Sequence, residues 1–137
     1  MNARGKAPQA AEPWLWAELA AVERALEPLR VPPAPQELEL HQLIAGALEA
    51  AGLPFVHEAR LGPRCRIDFL SGRVGIEVKK GKVNGRLLRS QAEKYLAFPQ
   101  VQALLLVTGA SAALPGLLGG KPVKVFGLNR LWGVALP

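Results

Sequence analysis

The sequence predicts an α/β fold, and three observations carry that expectation. Apolar residues recur at three and four positions in three segments, as on one face of a helix. They alternate singly in two others, and one stretch is apolar throughout. Between these segments lie Pro-rich or Gly-rich breaks, which give the order α, β, β, β, α, β, with one strand trailing and one helix in front.

The elements follow in turn. Residues 1–12 read as a flexible tail of Ala, Pro and polar groups. From Pro13 to Leu29 the residues Leu15, Leu19, Val22, Leu26 and Leu29 form one face of an amphipathic helix, with Pro13 suited to its first turn. Val31-Pro32-Pro33-Ala34-Pro35 is a stiff break. Residues 13–33 are therefore an accessory helix and Pro-rich linker, and 34–137 the core; whether the stripe packs on that core or on a partner is open. A second helix runs from about Gln36 to Ala51, with Leu40, Leu43, Ile44, Ala47, Leu48 and Ala51 on its apolar face, and stops at Gly52-Leu53-Pro54. Strands are expected over Phe55–Leu61, Arg64–Leu70 and Val74–Lys79. A third helix is expected from about Arg86 to Phe98, ended by Pro99. Ala103 to Val107 is wholly apolar, as a strand buried on both faces should be. A loop rich in Gly, Ala and Leu leads to a last strand near Val123–Leu128.

Composition narrows the function classes. The chain has 137 residues, half of them hydrophobic, which suits one domain with a real core. A single cysteine, Cys65, excludes an intrachain disulfide and a cysteine-rich zinc site. His41 and His57 have no cluster around them and read as structural or surface groups. No apolar run reaches membrane-spanning length, and residues 1–14 lack the apolar run of a signal peptide, so a cytoplasmic protein is expected. The net charge of +6 is localised: Arg60 to Lys94 holds ten basic residues against three acidic, and the rest is near neutral. A basic segment of this kind suits a phosphate-backbone binder, with Arg64, Arg66, Lys80, Lys82, Arg86 and Arg89 as candidate contacts.

The segment RIDFLSGRVGIEVKKG carries the chemistry. Cys65, Ile67 and Phe69 alternate with Arg64, Arg66 and Asp68, and Val74, Ile76 and Val78 alternate with Gly75, Glu77 and Lys79. Each strand is expected to bury one face and present the other. A two-residue loop, Gly72-Arg73, puts glycine where a type II′ turn requires it, pairs Ser71 with Val74, and so sets Asp68 opposite Glu77; a Ser71-Gly72 loop keeps the same faces, whereas a three-residue loop would move Glu77 to the other side. Opposed Cβ atoms lie about 4.5–5.5 Å apart, close enough to share one hard divalent cation such as Mg²⁺. Lys79, on the same face, could orient or help deprotonate a water and balance charge on an attacked phosphate.

This arrangement resembles the PD-(D/E)xK, or restriction-endonuclease-like, nuclease superfamily over roughly residues 35–128. Asp68 matches the family aspartate, here after isoleucine rather than proline, and Glu77-Val78-Lys79 matches the E-x-K tripeptide. Glu37, Leu40, Ile44, Leu48 and Gly52 resemble the family's preceding helix and its glutamate, with Glu39 as the lesser candidate. Gln91 and Tyr95 resemble the Q-x3-Y element of several branches, although Tyr95 also fits a plain core position. The resemblance implies an αβββαβ core, a central mixed sheet flanked by helices, behind the accessory helix. It implies hydrolysis of DNA phosphodiesters with Mg²⁺ or Mn²⁺, RNA not being excluded. Asp68, Glu77 and the Val78 carbonyl would hold the metal, Lys79 the water, and Glu37 and Gln91 would complete the site. A non-catalytic nucleic-acid-binding module on the same fold is the alternative. Dimerisation, or a larger partner held through the first helix, is a further expectation.

Other signals are weak. Gly116 to Lys121 lacks the spacing and the Ser or Thr of a phosphate loop. No Ser-His-Asp arrangement is legible, and Trp14, Trp16 and Trp132 read as packing residues, the first two with the option of a contact patch.

Overall fold

The computed structural model describes residues 11–81, 83–109 and 112–128. Three helices and six strands follow as α1 (Pro13–Leu26), α2 (Glu37–Ala50), β1 (Val56–Gly62), β2 (Cys65–Ser71), β3 (Val74–Lys79), α3 (Gly85–Leu96), β4 (Ala103–Thr108), β5 (Leu117–Leu118) and β6 (Lys121–Gly127). The tail apart from its last two residues, Lys82 and Trp132 lie outside the described residues.

The strands form one mixed sheet in the order β1-β2-β3-β4-β6-β5. β1, β2 and β3 are joined antiparallel, whereas β3, β4 and β6 run parallel. β4 sits at the centre and is buried at all six positions, which explains its unbroken apolar sequence. Two cores result. Leu19, Val22 and Leu26 of α1 and Leu40, Ile44 and Leu48 of α2 pack on one face against Ile76, Leu105 and Phe126. Leu88, Ala92 and Leu96 of α3 pack on the other against Ile67, Leu104 and Val123. The stripe of α1 thus closes on the chain's own sheet.

The larger departures from the sequence expectation, at the end of α1 and in the Gly-rich loop, have local reasons. α1 stops at Leu26 rather than Leu29, because Pro28 supplies no amide hydrogen and disfavours helix before it. Part of the expected Gly-rich loop pairs instead. Leu117–Leu118 forms β5 against Lys121 and Pro122, joined by Gly119 and Gly120, both at positive φ as a primed turn demands.

The β2–β3 turn forms as expected, with Ser71 opposite Val74 and Gly72 at φ 60°. α1 fastens it from outside. Glu18 Oε1 accepts from the Arg73 amide at 3.0 Å, and the Arg73 guanidinium lies 4.6 Å over the Trp14 ring. The first helix therefore helps hold the hairpin that carries both motif carboxylates.

Candidate functional site

The β2–β3 ladder runs Ser71–Val74, Leu70–Gly75, Phe69–Ile76, and then gives out. The next pair would be Asp68 and Glu77. Side chains take the place of ladder bonds there: the Asp68 amide donates to Glu77 Oε1 at 3.1 Å, and the Val78 amide donates to Asp68 Oδ2 at 2.9 Å. The cause lies in β2 itself. Ile67 packs in the core under α3, while Phe69, two residues on, packs in the core under α1 and α2. Residues i and i+2 share a face in an undistorted strand, so β2 changes faces at Asp68. On β1 the matching residue, Glu58, has φ 53°, a left-handed conformation unusual outside glycine. The expectation that Cys65, Ile67 and Phe69 line one face is thereby corrected, since they are buried against different layers.

β3 also departs from the half-exposed strand that its alternation suggested. It is internal to the sheet and covered on both sides, which leaves Glu77 6% exposed. Burial, and next the neighbouring Asp68 carboxylate, hold the Glu77 carboxyl above its ordinary pKa; its hydrogen bonds and Lys79 act against that rise. The Tyr95 hydroxyl is hydrogen-bonded to Glu77, and Tyr95 is itself held in the neutral form by burial and by that carboxylate. Tyr95 is thus a core residue whose polar end reaches the site. Lys79 Nζ lies 3.5 Å from Glu77 Oε2.

Sequence reasoning missed the histidines. His41, one turn after Glu37 on α2, is 5% exposed, and its Nδ1 is 2.8 Å from His57 Nε2 on β1. Its Nε2 is buried without a hydrogen-bond partner, the sole such side-chain atom found among the described residues. That nitrogen lies 3.7 Å from Asp68 Oδ2 and 3.9 Å from Glu37 Oε2. His41, His57 and Glu58 each bring a ligand atom within 4.8 Å of the others. A 2.8 Å nitrogen–nitrogen contact is nonetheless a hydrogen bond, since two ligands of one ion at about 2.1 Å each sit about 3–3.5 Å apart. The contacts of His41 Nε2 with Asp68 and Glu37, at 3.7 and 3.9 Å, are ion-pair distances beyond hydrogen-bond reach. The usable signal in the sequence was the spacing of Glu37 and His41 at i, i+4 on the helix face that buries Leu40 and Ile44.

The remaining candidates divide. Glu37 is largely exposed but swings its carboxylate to His41, while Glu39 is exposed. Gln91 lines the same groove as Lys79 and Lys80. Arg66 is paired with Glu58 and Arg89 with Glu93, both at 3.4 Å; Arg64 and Arg86 are both exposed. Lys94, not anticipated as a contact, lines that groove one helical turn beyond Gln91.

The donor set therefore comprises two carboxylates on adjacent strands, a neutralising lysine and an imidazole nitrogen with nothing to bond. Carboxylate oxygens and an imidazole nitrogen without a hydrogen-bond partner are the donor chemistry that a divalent cation takes. Comparison with protein-family models, with curated proteins and with solved structures finds no match to this chain.

Proposed function

We propose that the chain is a metal-dependent nuclease that hydrolyses DNA phosphodiesters, built on the αβββαβ core of the PD-(D/E)xK nucleases. The observation that carries this is the break at Asp68 and Glu77, where two carboxylates replace ladder bonds beside Lys79 and the unpartnered His41 Nε2. Supporting it, α2, β1, β2, β3, α3 and β4 follow in the order of that core.

Asp68, Glu77, the Val78 carbonyl and His41 Nε2 would hold Mg²⁺ or Mn²⁺, with Glu37 at the rim. Such an ion supplies Lewis acidity to the phosphate and acidity to a water. The protein's own groups do the rest. Lys79 positions the attacking water and offsets charge that builds on the phosphate oxygens. Tyr95 orients the Glu77 carboxylate through its hydroxyl. His57 sets the proton of His41: when His41 Nδ1–H donates to His57 Nε2, the lone pair of His41 Nε2 faces Asp68 and Glu37. Basic residues around the groove hold the backbone without reading sequence.

The deciding experiment incubates duplex, single-stranded, flapped and four-way DNA with Mg²⁺, with Mn²⁺ and with EDTA. Cleavage is expected with either ion and none with EDTA. Asp68→Ala and Glu77→Ala should each abolish it while circular dichroism stays native. Full activity in the purified double variant would overturn the site, and DNA binding without cleavage under any condition would leave a binding module in its place.

A further inference from the structure

A groove of about 500 Å³ opens beside Lys79 and runs along α3. Its cations are Lys79, Lys80 and Lys94, and no carboxylate lines it. A second depression of about 400 Å³ shares Lys94 with it and is lined also by Arg64 and the half-buried Phe98, again without a carboxylate among the described residues. Both are bordered by one stripe of the third helix and its end: Leu87, Gln91, Lys94 and Phe98, spaced by four, three and four.

The apolar members of this stripe need explaining. Leu87 is 68% exposed although it sits among lysines, and Val83 lines the same wall. A duplex would use the lysines but not the leucine, because its base faces are hidden in the stack. An unpaired strand offers phosphates and base faces in alternation, which is what interleaved cations and apolar surfaces can grip.

We propose that this groove holds an unpaired DNA strand, with Leu87 against a base next to the phosphate that Lys79 meets, so that the substrate is single-stranded or locally opened DNA. The inference rests on the nuclease reading for the position of the cut, but not for the groove's occupant. From Leu87 to Leu96 the helix rises roughly 13 Å, long enough to follow more than one nucleotide of an extended strand.

The test measures binding by the full chain in Ca²⁺, free of cleavage, to a short deoxyoligonucleotide carrying 2-aminopurine and to its blunt duplex. The single strand should bind at least about tenfold tighter, and one 2-aminopurine position should change fluorescence strongly. Leu87→Ala should lower single-strand affinity by about tenfold, erase that change and leave duplex binding alone. Lys94→Ala should weaken binding and flatten its salt dependence. Leu87 is exposed, so an intact melting transition is expected and excludes misfolding as the cause. Equal affinity for both DNAs, or a silent 2-aminopurine scan with Leu87→Ala unchanged, would overturn the groove. Tight single-strand binding with no cleavage in Mg²⁺ or Mn²⁺ would sink the nuclease reading and leave the groove standing. Ready cleavage of blunt duplex with a silent scan would do the reverse.

Discussion

The two ends of the β2–β3 hairpin contrast sharply. At the turn, ladder pairs are regular, Gly72 supplies the positive φ, and α1 fastens the loop through Glu18 and Trp14. At the open end the ladder stops, β2 changes faces, Glu58 takes a left-handed conformation, Glu77 is a buried carboxyl, and His41 Nε2 has nothing to bond. One end obeys every local rule and the other breaks several within one residue pair. Such departures persist only where surrounding structure over-determines them, and they cluster where chemistry is done. The closed turn is what lets the open end be irregular without losing register.

If that division is real, variants at the open end should cost chemistry and those at the turn should cost stability. The largest effect is expected from Lys79→Ala. Cleavage should fall by at least about a hundredfold, the scale of removing one positioned charge-stabilising or proton-transfer group. DNA binding in Ca²⁺ should weaken much less, because Lys80 and Lys94 remain, and the melting temperature should scarcely move. A cleavage loss no greater than the binding loss would make Lys79 one more phosphate contact.

His57→Leu sharpens the contrast by leaving every proposed ligand in place. Without the acceptor on β1, His41 should shift toward the tautomer protonated at Nε2, which ¹⁵N spectra of the imidazole report directly. Mn²⁺ affinity, read by electron paramagnetic resonance, should drop by about 10–100-fold. Unchanged spectra and affinity would show that the 2.8 Å contact does not set the proton.

Much of this was legible in the sequence, for identifiable reasons. The turn was readable because Gly72 suits a two-residue loop, and either even loop the sequence allows puts Asp68 and Glu77 on one face; the structure has the Gly72-Arg73 loop, with Ser71 opposite Val74. α2 was readable from its apolar period and β4 from its unbroken apolar run. The face change at Asp68 was not, because alternation of Cys65, Ile67 and Phe69 looks the same whether they bury on one layer or two. Glu77 was expected at a surface because alternation cannot tell an edge strand from a central one with a polar residue. His41 was missed because its partner, His57, is sixteen residues away and meets it only once β1 is folded.

At the turn, Trp14→Ala removes the ring beneath Arg73. An exposed cation–π contact contributes about 0.5–1 kcal/mol, and the lost packing adds to it. The chain should melt a few degrees lower, while single-turnover cleavage per folded molecule and Mn²⁺ affinity stay unchanged. A loss of cleavage that exceeds the unfolded fraction would mean that the turn and the open end are coupled rather than separate.

The smallest expected effect has the opposite sign and belongs to the open end. Burial and Asp68 raise the Glu77 carboxyl above its ordinary value of 4.5. A carboxyl raised on folding contributes stability below its unfolded pKa and loses it as pH climbs through the folded one. In EDTA at neutral pH, Glu77 should therefore be a cost to the fold. Glu77→Gln keeps the shape and an oxygen for the Asp68 amide but carries no charge to desolvate, so it should melt slightly above the parent near pH 7. The gap should close as pH falls below about 4.5, where the parent's carboxyl is protonated in both states. Adding Mg²⁺ should reverse the order, because an ion that binds only the folded parent stabilises it by mass action and the glutamine variant binds it less well. Equal melting at all pH values in EDTA would mean that hydrogen bonds from Tyr95 and Asp68 fully offset the burial of this charge.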